Sequence, residues 1–326
     1  MKKLSWGIIG VGDVCEVKSA PAMNLIEGSE IVAVMRRNAE KAADYARRHK
    51  IDTWYADADE LINDPNVNAI YIATPPGFHK EYTVKAAKAG KPVYVEKPMA
   101  RTHAECQEMV SACHEAGVPL FVAYYRRALP NFLKVKELVS SGTIGDIRMV
   151  EVRMAKTIRP DIITHLDNHW RVDPEISGGG YFYDLASHQL DYLDFLFGPI
   201  KSASGYSRNQ AGQYKAADIV TATFEFESGV LGTGSWCFNS GESSDKDVTT
   251  IIGSKGEISY QTFGDNKVIL SEDGKAKEVF EFEMPKHIQQ PLIQQIVDEL
   301  LEKGKCVSTG VSGARTNHVM EWSSGV

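Results

Sequence analysis

Six residues into the chain an apolar run breaks into glycines, Gly7-Ile8-Ile9-Gly10-Val11-Gly12-Asp13-Val14-Cys15, and this start constrains the fold more than any other stretch. A buried strand running into GxG at the mouth of a helix needs a turn with almost no side-chain bulk. Gly10 permits the tight turn, and Gly12 lets the backbone approach a pyrophosphate held by amides at the helix start. The third fingerprint position is Cys15, small enough for close packing of helix on sheet. GxG by itself also fits a structural glycine turn. The strand before it favours a dinucleotide turn, with Gly10, Gly12, Asp13 and Val14 as candidate cofactor contacts.

The next hundred or so residues alternate in the way that such a start requires. Short apolar runs at 31–35, 69–73, 92–95 and 120–123 are separated by helix-patterned stretches at 38–49, 79–89 and 104–116. Strands joined through helices imply right-handed crossovers and a parallel sheet covered on both faces. The expected fold class is α/β, an N-terminal Rossmann doubly wound sheet over residues 1–121. Beyond it, runs at 148–156, 220–227, 230–238, 248–252, 257–261, 268–271 and 277–282 alternate with period two, with Ser228-Gly229 and Asp273-Gly274 where hairpins would turn. Residues 122–326 are therefore expected to form an α+β substrate-binding domain with an open, mostly antiparallel sheet and helices at 131–140, 181–196 and 288–302. The length of 326 residues suits two domains.

A net charge of −7 with interspersed signs argues against a nucleic-acid binder, which needs a concentrated basic face. No run approaches a membrane span, and the N-terminus enters the first strand without a signal-like segment. Five scattered cysteines without CxxC spacing suggest neither a disulfide framework nor a metal site, and fit a cytoplasmic protein.

At the end of the second strand, where an NAD-selective fold places a ribose-binding acid, stands Arg36-Arg37. Two guanidiniums suit a 2′-phosphate, which favours NADP(H) with NAD(H) as the other possibility; a solvated basic turn is the plain alternative. After the strand at 69–73, Thr74-Pro75-Pro76 makes a rigid loop whose backbone could face the cofactor. His79, at the following helix start, reads first as a capping or packing histidine and is retained as a cofactor-side candidate. Glu96-Lys97-Pro98 follows the strand at 92–95. Alone it reads as a surface turn, but beyond the carboxyl end of a parallel strand Lys97 could polarise a substrate oxygen.

The second domain carries Gly178-Gly179-Gly180-Tyr181-Phe182-Tyr183-Asp184-Leu185-Ala186-Ser187-His188, with Asp191 shortly after. On an α-helix Asp184, His188 and Asp191 share a stripe, and the triple glycine would let another body approach the helix start. A solvated helix face is the alternative.

Together the GxG turn, the ATPP turn at Ala73 to Pro76, Glu96-Lys97-Pro98, Arg127-Ala128-Leu129-Pro130 and the GGG-to-His stretch resemble the glucose-fructose oxidoreductase/inositol dehydrogenase (Gfo/Idh/MocA) family, over nearly the whole chain. The resemblance implies an NAD(P)-dependent oxidoreductase acting on a sugar, polyol or cyclitol, in a homodimer or homotetramer. It implies Lys97, Asp184 and His188 as catalytic and substrate-binding residues, with His188 exchanging a proton with the substrate hydroxyl. It places Glu96, Lys97, Arg127, Trp170 and Arg171 near the cofactor and His165 near the substrate. By the same resemblance, Glu321 to Val326 end early for a terminal helix. An amine from one domain and an imidazole from the other are expected to act on one carbon–oxygen bond. The rival readings are an NAD-dependent glycoside hydrolase working by transient oxidation, and a nucleotide-sensing protein without catalysis.

Overall fold

The computed structural model describes residues 3–157 and 170–325. His165, a sequence candidate for substrate binding, lies outside the described residues. By its internal contacts the chain divides into two compact units, 1–125 with 285–314, and 126–284 with 315–326. The sequence boundary at 121 did not anticipate that 285–314 would return to the first unit.

The first unit is built on six parallel strands: β1 (Leu4–Ile9), β2 (Ser29–Met35), β3 (Thr53–Tyr55), β4 (Ala69–Ile72), β5 (Val93–Val95) and β6 (Leu120–Val122). They lie in the order β3-β2-β1-β4-β5-β6, that of a dinucleotide-binding doubly wound sheet. The near-continuous apolar runs follow from burial on both faces: all four residues of β4 and all three of β5 are buried. Strand β3 was not expected, because Thr53-Trp54-Tyr55 is too short to show a period and only partly buried.

Residues 285–314 finish this unit. Thr309 bridges antiparallel to Phe121 on the edge strand β6, and Ser308 Oγ donates to Val122 O at 2.7 Å. This covers an edge that would otherwise offer free backbone groups.

In the second unit an eight-stranded sheet comprises β7 (Ile147–Ala155), β8 (Ile200–Arg208), β9 (Ile219–Phe226), β10 (Leu231–Cys237), β11 (Lys246–Gly253), β12 (Gly256–Tyr260), β13 (Lys267–Glu272) and β14 (Glu278–Glu281). Its order is β14-β13-β12-β11-β7-β10-β9-β8, antiparallel except for the β7–β10 pair. Burial alternates along β7, β9 and β10, so one face is packed and the other open. On the packed face Phe132 and Tyr192, from the helices Pro130–Ser140 and Ser187–Phe197, meet Tyr260 edge-on. Strand β8 escaped the sequence reading because Ile200-Lys201-Ser202-Ala203-Ser204 buries only its first residue. The chain closes on a helix at Gly310–Ser324, which the sequence reading also passed over.

Candidate functional site

In the first unit the glycine turn sits directly beyond β1. Gly10 N and Val11 N both donate to Met35 O, at 2.9 and 3.4 Å, which folds the turn across the end of β2. Gly10 has φ +94°, and a side-chain carbon there would come within 2.7 Å of Thr74 Cγ2 and 2.9 Å of Thr74 N. Gly10 is therefore required by the protein's own packing. Gly12 is different: its φ of −131° suits any residue, and an added carbon would meet nothing nearer than Gly10 O at 3.9 Å. The open space there is what a close-lying pyrophosphate needs, so the turn fits a dinucleotide. Asp13, exposed, and Val14 open the short helix Asp13–Val17.

Arg36, half-buried at the end of β2, donates from Nη1 to Val11 O at 3.1 Å, holding its guanidinium beside the turn. Arg37 is exposed, its guanidinium carbon 4.8 Å from the centre of the Phe78 ring. Asn38 caps the helix Ala39–His49 by accepting from Lys41 N, so its side chain is already engaged there.

The turns after β4 and β5 lie next to each other and to the glycine turn. Thr74 and Pro75 are half-buried, and Thr74 N underlies Gly10. Lys97 is half-buried, joined to Pro98 by a cis peptide. Behind it Glu96 is buried and works as an internal acceptor. Its Oε1 receives Tyr71 OH at 2.8 Å and Gln289 Nε2 at 2.7 Å, and its Oε2 receives Lys97 N at 3.2 Å. Tyr94 OH donates to Gln289 Oε1 at 2.7 Å, and the Tyr71 and Tyr94 rings stack 4.8 Å apart. Burial pushes both phenols well above their ordinary range, so they stay protonated donors. Tyr71, Tyr94 and Gln289 went unrecognised because two read as strand core and the third is distant in sequence. His79 is completely buried between the two turns.

In the second unit the expected single helix at 181–196 is in two parts, a π-helical stretch Phe182–Ala186 followed by the α-helix Ser187–Phe197. The wider i→i+5 turn interrupts the α-helical stripe on which Asp184, His188 and Asp191 were aligned. Their surroundings differ accordingly. Asp184 is half-buried and faces Arg171, Nε to Oδ2 3.9 Å, while the Arg171 guanidinium lies over the Trp170 ring at 4.5 Å. Trp170, Arg171 and Asp184 are thus brought together. Asp191 instead belongs to a buried ion-pair cluster: Arg127 donates from Nη2 to its Oδ1 at 2.7 Å and from Nε to its Oδ2 at 2.8 Å. Arg127 also reaches Asp194, which accepts two further bonds from Arg315.

His188 is buried, with its ring edge against Phe263 at 5.7 Å between centroids. The wall behind is polar and continuous: Trp236 Nε1 donates to Gln189 Oε1 at 2.7 Å, Gln189 Nε2 to Asp247 Oδ1 at 3.4 Å, and Phe263 N to Asp247 Oδ2 at 2.5 Å. Arg126 lies over Phe263 at 4.3 Å. Burial raises the Asp247 carboxyl, against the bonds it accepts from the backbone. These residues carried no motif; strand alternation could have marked Trp236 and Asp247 as inward. Gly179 and Gly180 serve internal packing, since a carbon on Gly179 would strike Tyr183 at 2.1 Å and one on Gly180 would strike Ala216 at 2.5 Å.

Comparison with known proteins places the chain in a family. Residues 4–124 match the oxidoreductase family with an NAD-binding Rossmann fold, and residues 132–259 match the GFO/IDH/MocA C-terminal domain. The chain belongs to the Gfo/Idh/MocA oxidoreductase family. It is 40% identical over 321 residues to Oxidoreductase P35 of Formosa agariphila, covering 98% of each chain. It is 32% identical over 228 residues to a 1,5-anhydro-D-fructose reductase of Ensifer adhaerens, covering 69% of this chain and 67% of that one. A levoglucosan dehydrogenase solved with NADH and levoglucosan has the same fold, with a TM-score of 0.88 at 22% identity, over 98% of this chain and 96% of the other. Among the described residues no helix is long and apolar enough to cross a membrane.

Proposed function

We propose that this member of the family is a dehydrogenase or reductase that interconverts a hydroxyl and a carbonyl on a sugar, polyol or cyclitol, using NADP(H) in preference to NAD(H). The single observation that carries the nucleotide part is the geometry at Gly12, where the backbone is left uncovered in a glycine turn that Arg36 contacts at Val11 O. Gly10, Gly12, Asp13, Val14, Thr74 and Pro75 would hold the dinucleotide, and Arg36 and Arg37 its 2′-phosphate. A bound nicotinamide would supply the two-electron chemistry.

The chain's own residues supply the proton chemistry. Lys97 polarises the substrate oxygen as a hydrogen-bond donor, and His188 gives or takes the hydroxyl proton, a task suited to an imidazole whose unperturbed pKa is about 6.5. Asp184, steadied by Arg171, orients the substrate hydroxyls. The carbohydrate substrate class is supported by the relatives, among them a myo-inositol 2-dehydrogenase of Thermotoga maritima at 26% identity over 272 residues, covering 82% of this chain and 78% of that one. Lys97→Ala and His188→Ala should each lose at least about a hundredfold in kcat while retaining NADPH affinity. Full turnover in both variants would remove this assignment.

A homo-oligomer belongs to the same reading. The open face of the second sheet exposes Leu231 at 57% and carries a shallow depression of about 450 Å³ lined by Met149, Ser204, Thr223 and Leu231. A monomer in sedimentation velocity at micromolar concentration would remove that part.

A further inference from the structure

His79 was a cofactor-side candidate from sequence, yet it is 0% exposed and both ring nitrogens are turned into the protein. Nε2 lies 2.7 Å from Thr74 O, and Nδ1 lies 3.1 Å from Met99 O and 3.2 Å from Pro98 O. Those carbonyls belong to different turns. Thr74 leads the turn after β4 that underlies Gly10, and Pro98 and Met99 directly follow Lys97. One ring therefore spans the two turns, with a carbonyl acceptor at each nitrogen.

We propose that His79 is a positioning residue, a buried clamp that fixes the Lys97-Pro98-Met99 turn to the Thr74 turn and so sets where the lysine ammonium stands relative to the nucleotide turn. The inference rests on the reading of Lys97 as the group that polarises substrate. The clamp has a physical basis in the ring's rigidity. A flat imidazole with two nitrogens on opposite sides spans two carbonyl groups without the rotamer freedom that a long aliphatic donor would have. A neutral ring donates at one side only. Burial holds the ring below its ordinary pKa despite the carbonyls around it, so the neutral ring donates to one turn and is held by packing against the carbonyl of the other. Glu96 is the other titratable group acting on the ring, from the strand end just before Lys97.

The test uses the full-length enzyme with three substitutions. His79→Leu keeps the ring's approximate volume without donors, His79→Asn keeps an amide near the Nδ1 position, and His79→Gln keeps one near the Nε2 position. Displacing a catalytic group by about 1 Å can cost on the order of a hundredfold, so His79→Leu should lose about thirtyfold or more in kcat with KM for NADPH changed by less than about threefold. His79→Asn, which retains a donor toward the Lys97 turn, should recover most of that loss. In a Lys97→Met background, His79→Leu should cost less than about twofold further in single-turnover rate, because coupled residues are non-additive. A folded His79→Leu enzyme with kcat within twofold of the parent overturns the proposal. So does an equal loss with and without Lys97. If His79→Leu does not fold, His79→Asn and His79→Gln decide: indistinguishable kcat values from the two overturn the clamp. Undiminished turnover in Lys97→Met alone would instead strike the catalytic reading beneath it, a separately visible outcome.

Discussion

Arg127 grips Asp191 with two nearly parallel hydrogen bonds, 2.7 and 2.8 Å, where both side chains are all but sealed from water at 4% and 1% exposure. The pair holds the helix Ser187–Phe197, which carries His188, against the start of the second unit. Burial drives the Asp191 carboxyl up to about 6, against the pull of the guanidinium. Removing one partner leaves an uncompensated buried charge. Arg127→Met should cost about 3–5 kcal/mol, while Arg127→Met with Asp191→Leu should recover much of it. Urea denaturation of both variants measures the difference, and equal losses would mean that the pair is not coupled.

The two glycines of the nucleotide turn should separate cleanly. Gly12→Val adds carbon atoms where the protein has none within 3.9 Å of the first, and should leave stability within about 1 kcal/mol of the parent while abolishing detectable nucleotide binding. Gly10→Ala meets Thr74 at 2.7 Å with φ at +94° and should lose stability itself, by about 1–3 kcal/mol. Thermal unfolding with and without NADPH reads both effects. A Gly12→Val enzyme that binds normally would show that the open space is not where the pyrophosphate lies.

Cofactor choice should follow Arg36. Its Nη1 contact to Val11 O places a positive charge beside the glycine turn. Arg36→Asp should weaken NADPH binding by about tenfold to a hundredfold and leave NADH within about threefold, the loss expected for a charge-assisted contact to a phosphate. Fluorescence titration with the two nucleotides decides it. Equal losses for both would refute the preference.

One surface cluster should respond to acid. Arg48 donates to both carboxylate oxygens of Glu16, which with His49 holds the Glu16 carboxyl down at about 2 from an ordinary 4.5. Because the folded value is the depressed one, its stabilisation is fully present above pH 4.5 and is lost as pH falls toward 2. Glu16 is about a third exposed, which limits the contribution to about 0.5–1 kcal/mol after solvent screening. The melting-temperature gap between parent and Glu16→Gln should therefore be larger at pH 6 than at pH 3, which lies between the ordinary value of 4.5 and the folded value of about 2.

Where the sequence was legible, local physics and tertiary burial agreed. Strand β1, the GxG turn and the crossover helices announce themselves because apolar runs buried on both faces need no partner to be recognised. The helix Ala39–His49 begins one residue after Asn38, the capping residue that also marks the end of Arg36-Arg37. Strand β8 was missed because most of its residues stay exposed, so neither hydrophobic run nor clean alternation survives. The π-helical stretch was missed for another reason. Nothing in Phe182-Tyr183-Asp184-Leu185-Ala186 departs from α-helical periodicity, so Asp184 and His188 were placed on one stripe and Asp191 with them. The Glu96 network and the wall behind His188 depend on pairs far apart in sequence, as Glu96 with Gln289 and Gln189 with Asp247. Such pairs are set by sheet order and chain return, which a single sequence does not display.

The activity proposed for this protein is net oxidation or reduction of a carbohydrate hydroxyl or carbonyl with a nicotinamide cofactor. The most direct measurement is nicotinamide absorbance during incubation of the purified enzyme with NADP+ and a panel of polyols, cyclitols and aldoses, and in reverse with NADPH and the matching carbonyl compounds. The expected result is a stoichiometric absorbance change with at least one pair, abolished in His188→Ala. Cleavage of a glycoside with no net change in nicotinamide would contradict it, as would an enzyme that binds NADPH yet turns over nothing in either direction.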